Sequence, residues 1–383
     1  MIGTAAIVGA GIGGVTAGLA LARRGWAVTV YEQAPAWKEV GAGLQLGPNA
    51  MRVLAALDVD VRAVSDRPDR VELRDGLSGR IEAIVPFGPR AEARYGEIYV
   101  QLHRQDLLAA LGTAATAAGV RFQMGRTVTP QASPEADLIV AADGVRSAFR
   151  KSLHPIVSPE FTGQVAWRAL IDGGGVPSGL NPDATQLLLG PGRHMVLYPL
   201  RGGKIWNLVA VEERTAWADE GWNRADDVAN LNRAFEGWAA PVPQILDRVD
   251  TTILWGLFAH QALPSWRDGT TCLLGDACHP MLPFLAQGAA MAIEDAWVLA
   301  DSVSALGISD GLSRYEALRK PRTARVQRTA RGNARVYHLS SPLARGARRT
   351  GLAAAQRLPG GLLRRFDWLY GADVTGGSLG SGA

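Results

Sequence analysis

Gly9, Gly11 and Gly14 stand together in GAGIGG at 9–14, and Glu32 follows at the end of the next apolar run. The first glycine permits a tight turn, the second lets a pyrophosphate approach the main chain, and the third lets a helix lie close on a strand. From Gly13 onward the free amides of a helix N-terminus favour phosphate. Glu32 suits both hydroxyls of a ribose, which argues against a 2′-phosphorylated ligand here. Glycines alone are also compatible with a plain turn; strand, helix and acid in sequence point to a dinucleotide. Two further turns pair glycine with an acid, Asp143-Gly144 and Gly275-Asp276. In an open α/β sheet such turns lie at the C-terminal ends of strands, so all three can meet one extended ligand.

Other chemistries lack their residues. His103, His154, His194, His260, His279 and His338 have no paired metal-ligand spacing, and Cys272 and Cys278 form no Cys-x-x-Cys site, so no metal is expected. There is no Gly-x-Ser-x-Gly elbow and no phosphate loop ending in Gly-Lys-Ser/Thr. His194 and Tyr198 share one predicted strand and are the acid/base candidates, with plain strand packing as the alternative. His279 reads as structural in its turn.

The elements that must position these residues begin with a strand at Ala5–Val8, a helix at Val15–Arg24 and a parallel strand at Ala27–Tyr31. Helices are predicted at Asn49–Leu57 and Arg104–Ala118, and a buried strand at Asp137–Ala142. From 155 to 265 the texture is β-rich, with strands at Gln164–Ile171, Gln186–Leu189, His194–Leu200 and Ile205–Val211, and Gly202-Gly203 as a hairpin turn. Seven of the eleven tryptophans, including Trp222, lie between 167 and 266, which suits core packing or a flat ligand. A strand at Thr270–Leu274 and a long helix at Gln287–Leu306 return the chain to its first domain. The tail after 372 is Gly/Ser-rich and is expected to be loose.

At 47% hydrophobic and 20% charged, the chain has a globular composition. No apolar run reaches membrane-span length, and no basic leader precedes the first one, so a cytoplasmic protein without a membrane partner is expected. The net charge of +4 is uneven: fourteen basic residues and one acid lie between Arg314 and Arg365, against 26 basic and 35 acidic elsewhere. That window reads as a solvated helix face rather than a nucleic-acid site, since aromatics for base stacking are sparse in it.

In combination, GAGIGG with Glu32, ADGVRS at 142–147, and GDACHPMLP followed by QGAAMAIEDA resemble the three signatures of FAD-dependent aromatic hydroxylases. This is the single-component group of p-hydroxybenzoate, salicylate and 3-hydroxybenzoate hydroxylases. GAGLQLGPNAMRVL at 41–54 and YEALRKPRTARVQ at 315–327 are similar to its salicylate and 6-hydroxynicotinate branch. The resemblance implies an α/β fold: a Rossmann-like FAD-binding domain (1–154 and 266–310), an inserted β-sheet substrate domain (155–265) and a C-terminal helical segment (311–383). Gly9, Gly11, Gly13, Gly14 and Glu32 would bind the ADP half of FAD. Arg104 would meet its phosphate or ribityl region, Gly275 and Asp276 the ribityl chain, and Gly288 the flavin's pyrimidine edge. Asp143, Gly144 and Arg146 would serve both FAD and the nicotinamide cofactor, NADH or NADPH.

The implied reaction adds oxygen, activated at the flavin's 4a carbon, to a small aromatic or N-heteroaromatic ring. Gln45, His194, Tyr198, Pro283 and Phe284 are the pocket candidates. Gln45 and Phe284 occupy positions where the 6-hydroxynicotinate branch would carry histidines, which argues against that particular substrate; Glu212 and Glu213 stand where some relatives offer a histidine, which leaves the base for the phenol open. An FAD-dependent dehydrogenase without oxygenation and a non-catalytic flavin or aromatic-ligand binder are the competing readings, and a homodimer is open beside a monomer.

Overall fold

The computed structural model describes residues 2–37, 42–174, 179–217 and 223–376; Gly41 of the 41–54 stretch, Trp222 and the tail from 377 lie outside them. The first apolar run forms the strand Thr4–Val8, with Ala27–Glu32 and Leu138–Ala141 parallel on either side of it. Thr271–Leu273 and Arg121–Met124 extend this sheet in parallel, and Arg267–Asp268 closes it as an antiparallel edge of six strands. Ala5 to Val8 are buried without alternation, as a parallel strand covered on both faces requires. Helix Ile12–Ala22 is buried almost all round because it lies between this sheet and the helix that begins at Gly288. Val8, Glu32, Ala141 and Leu273 all end at one edge, and the three glycine–acid turns follow there.

The second sheet has eight strands in the order Asn223–Asp226, Thr252–Ala259, Glu160–Asp172, Ile205–Glu213, Arg193–Leu200, Ala184–Gly190, Arg70–Asp75 and Ile81–Val85. It therefore reaches beyond the expected span of 155–265. Its far edge comes from a hairpin that precedes that span, in which Glu72 is buried between Arg70 and Arg74 at 2.8 and 2.6 Å. Four charges in six residues hid this strand from a reading based on apolar alternation. Strand alternation gives the sheet two different faces. Val165, Trp167, Met195, Leu197, Trp206 and Leu208 form a core under Val228–Ala234 and Val242–Leu246, joined by Trp238. Ala166 and Val211 face the other way, against Leu282, Phe284, Ala330 and Ala334. Tryptophans 167, 206 and 238 are thus core residues.

The long helix Gly288–Tyr337 is interrupted at Gly307, where φ is 77° and ψ is 175°. Helix Pro342–Arg357 and the short turns Gly361–Phe366 and Asp367–Tyr370 complete the chain. Much of the basic window is the solvated face expected of it, with Arg325, Arg328, Arg331 and Arg335 exposed, but Arg319 and Arg348 turn inward. Arg319 is 1% exposed and bonds Glu294 and Asp295, both at 2.6 Å, while Arg348 is buried against Glu82. Carboxylates taken out of water need such partners, and this window supplies them. Among the described residues no helix is long and apolar enough to cross a membrane.

Candidate functional site

The nucleotide turn is shaped by steric exclusion. Gly9 has a φ of +103°, and a Cβ there would lie 2.4 Å from the Ala142 carbonyl oxygen. A Cβ on Gly14 would lie 1.9 Å from the Gly9 carbonyl oxygen, and one on Gly13 would meet Leu274 at 2.7 Å. Gly11 differs, since a Cβ there would meet nothing within 4 Å. It caps helix Ile12–Ala22 and leaves the room a pyrophosphate needs at a helix N-terminus. Glu32 accepts hydrogen bonds from the amides of Ala10 and Ala34, both at 2.9 Å, which fixes its carboxylate beside the turn.

The second and third turns converge beside the first. Asp143 Oδ2 accepts from the amides of Ala148 and Phe149, while its Oδ1 is buried with no protein partner. Gly144 has a φ of +78° and Arg146 is exposed. Arg150, which the sequence reading passed over, ties the two turns together: its guanidinium donates to the carbonyls of Asp276 and Ala277, both at 3.0 Å, and to that of Val145. Gly275 has a φ of +63°, and Gly288 is open enough that a Cβ there would meet only Asp276 Oδ1, at 4.0 Å. Asp276 is exposed by area yet densely surrounded by protein, so desolvation raises its pKa. Such a group lies on the floor of a cleft. Arg104, exposed at the first turn of helix Arg104–Ala117, acts on Asp276 electrostatically. An open phosphate seat, an unpartnered carboxylate oxygen and an acid on a cleft floor fit FAD along this edge.

Cys278, His279 and Asp295 also cluster, their ligand atoms within 4.8 Å of one another. Those atoms are already committed: Asp295 bonds His279 at 2.5 Å, Arg319 at 2.6 Å and the Gly275 amide at 3.3 Å. The cluster braces the third turn.

Between the eight-stranded sheet and the turn Pro283–Leu285 lies a group of aromatic and polar side chains. His194 is 2% exposed, and its ring meets Phe284 at 5.1 Å and Tyr337 at 5.2 Å between centroids. Its Nδ1 is 2.6 Å from Nε2 of His338, whose Nδ1 is 3.0 Å from Oε1 of Glu213. Burial first, and the neighbouring imidazole second, hold His194 well below the ordinary imidazole pKa. Gln45 accepts a hydrogen bond from the Tyr99 hydroxyl at 2.7 Å, and its Nε2 is buried without a protein partner. Burial raises the pKa of Tyr99, and the hydroxyls of Tyr370, Tyr198 and Tyr337 raise it further, so the four phenols are neighbours. Tyr198 packs against Gly43, whose amide bonds Asn207 at 2.7 Å. Pro283 is half-buried at the edge of the group.

The structure thus gathers Gln45, Tyr198, Phe284 and His194 through Tyr99 and Tyr337. Neither phenol carries a sequence motif. Arg168 was missed as well. It is half-buried on the sheet, stacks over Trp255 at 5.7 Å, and has no carboxylate partner within 4 Å among the described residues. Its guanidinium feels Tyr198, Arg104 and Asp276, which places it between the ring end and the cofactor end of the cleft.

A family profile described as FAD binding domain matches residues 3–330. The chain is 33% identical to 3-amino-4-hydroxybenzoate 2-monooxygenase of Streptomyces platensis, over 96% of each chain. It is 34% identical to 6-hydroxynicotinate 3-monooxygenase of Bordetella bronchiseptica, over 86% of this chain and 90% of that one. Among solved structures, Klebsiella pneumoniae HpxO complexed with FAD and uric acid superposes with a TM-score of 0.80 at 26% identity, covering 91% of this chain and 92% of the other.

Proposed function

The chain belongs to the family of FAD-dependent aromatic hydroxylases, and from that premise we propose that its pocket takes a hydroxylated aromatic or N-heteroaromatic acid, with His194 as the base for the ring hydroxyl. The protein is an NAD(P)H-dependent FAD monooxygenase that hydroxylates a small aromatic compound. Bound FAD, reduced by NAD(P)H, supplies the activated oxygen.

The chain's own residues have to bind the ring, ionise its hydroxyl and keep water away. The buried His194 at the Phe284 face is the observation that carries the reading. A neutral imidazole there accepts the hydroxyl proton and so raises electron density on the ring carbon to be attacked. Phe284 and Pro283 wall the ring, the free Nε2 of Gln45 donates to a carbonyl or hydroxyl substituent, and Tyr198 borders the same space. Arg168 offers a cation to a carboxylate on the ring. Gly9, Gly11, Gly13, Gly14 and Glu32 hold the ADP half of the cofactor; Arg104, Asp143, Gly144, Arg146, Gly275, Asp276 and Gly288 hold the rest.

The pairing of Arg319, Arg322 and Arg348 with internal acids and carbonyls, and the sparseness of aromatics beside the exposed arginines, support a protein with no nucleic-acid partner, and the buried free thiols of Cys272 and Cys278 suit a reducing cytoplasm. Light scattering on the FAD-loaded protein separates monomer from homodimer. The reading is tested with salicylate, 3-hydroxybenzoate, 6-hydroxynicotinate and 3-amino-4-hydroxybenzoate. Stimulated NADH or NADPH oxidation with oxygen uptake and a hydroxylated product is expected from at least one. Stimulation only by rings lacking an ionisable hydroxyl would overturn the role of His194.

A further inference from the structure

We infer that His194, His338 and Glu213 form a directional proton chain that carries the ring hydroxyl's proton from the pocket to solvent. This rests on His194 being the base proposed above. Glu213, on strand Ile205–Glu213, has a side chain 52% exposed, whereas that of His338, the cap of helix Gly288–Tyr337, is 1% exposed. His194 on strand Arg193–Leu200 is the innermost member. Three groups from three elements therefore run from water to the Phe284 face by contacts of 3.0 and 2.6 Å.

The order of atoms sets the direction. A carboxylate only accepts, so Nδ1 of His338 carries the proton given to Glu213. That leaves Nε2 of His338 as an acceptor, so Nδ1 of His194 is its donor. Nε2 of His194 is then a bare lone pair, which is what a base in the pocket needs. Gln164 Nε2 lies 3.4 Å from Nδ1 of His338, farther than the carboxylate, and does not reverse this order. Facing His194 are Tyr337 and Phe284 as well as His338; Tyr337, its pKa pushed up to about 12 by burial, keeps its proton. Arg193, the next residue on the strand, turns to Glu212 and the Ala234 carbonyl.

The transfer balances. The substrate O–H bond breaks as N–H forms at Nε2 of His194. The Nδ1 proton of His194 passes to Nε2 of His338, and the Nδ1 proton of His338 passes to Oε1 of Glu213 and on to water. No electrons change hands. When the product's oxygen takes a proton back along the same path, both tautomers are restored.

The first test is nitrogen NMR on FAD-loaded protein labelled with 15N-histidine, without substrate. His194 and His338 should both be protonated at Nδ1 and bare at Nε2, and Glu213→Gln should mix the tautomers of both rings. A proton on Nε2 of His194, or tautomers indifferent to Glu213→Gln, would overturn the chain. The second test measures stimulated NAD(P)H oxidation with the four aromatic acids named above. His338→Ala should slow it about tenfold with FAD content unchanged, and added imidazole should restore several-fold. Should that variant not fold, Glu213→Gln, at a half-exposed site, should slow oxidation and move the pH profile. If His194→Ala slows turnover while His338→Ala and Glu213→Gln leave rate and pH profile as they were, the chain falls and the base stands. If His194→Ala changes nothing, the base itself falls.

Discussion

At the nucleotide end of the cleft the ligand's seat is made of main chain: one turn at 9–14, held by clashes that forbid a side chain at Gly9 and Gly14, with a single carboxylate anchored by two amides. At the ring end, Gln45, Tyr99, Arg168, His194, Phe284 and Tyr337 come from separate elements, and each is placed by packing across the sheet. The ligands explain the difference. Phosphates and riboses are read by amides and one acid, which a single turn presents. A ring must be enclosed on every side, so its walls are gathered from distant parts of the chain.

The largest effect should separate two glycines of the same turn. Gly11→Val adds a side chain where the protein leaves room, so the apoprotein should keep its melting temperature while flavin content falls by more than about tenfold. Gly14→Ala pushes a methyl group into the Gly9 carbonyl and should lose soluble protein altogether. Equal flavin retention in Gly11→Val and the wild type would erase the distinction between seat and scaffold.

Arg319→Met should cost about 3 kcal/mol in denaturant unfolding, since it takes a buried cationic partner from both Glu294 and Asp295 and leaves them to Arg322 and His279. Arg322 and Arg319, with a hydrogen bond from Asn49, outweigh burial and hold Glu294 at about 2, below its ordinary 4.5. A depressed carboxyl stabilises the fold above pH 4.5 and loses that contribution as pH falls toward 2. Acid titration of unfolding should show this loss in the wild type and less of it in Glu294→Gln.

At the ring end, His194→Ala should slow substrate-dependent turnover about 10²-fold with FAD still bound, and divert part of the NAD(P)H flux to hydrogen peroxide. Steady-state rates and peroxide yield decide this. Smaller again is Arg168→Met, which should raise KM about tenfold for carboxylate-bearing rings and leave their uncharged analogues unchanged. A uniform rise for both would assign Arg168 to general packing.

What could be read from the sequence follows the same division. The turn at 9–14, the strand ends at Asp143 and Asp276 and the helices around them are local patterns, and each lies within a few residues of its expected bounds. Arg150, Arg168 and His338 were not legible. An arginine under two turns and one on a sheet face look alike in sequence, and the bond between His194 and His338 spans 144 positions. The hairpin of Arg70–Asp75 and Ile81–Val85 escaped because its buried Glu72 is neutralised by neighbours on its own strand.

The interleaving of the two sheets also imposes an order on synthesis. All eight strands of the substrate sheet have emerged once residue 259 leaves the ribosome, but the parallel sheet still waits for Thr271–Leu273, its partner beside Leu138–Ala141. Phe284, Tyr337, His338 and Tyr370 come later still. Vectorial folding therefore completes the ring-facing β-scaffold before the flavin's seat, and the last walls of the pocket close only with the end of the chain. A nascent fragment long enough to hold a sheet is still too short to hold the flavin against a finished pocket, so an unfinished chain has little means of spending reduced nucleotide on oxygen.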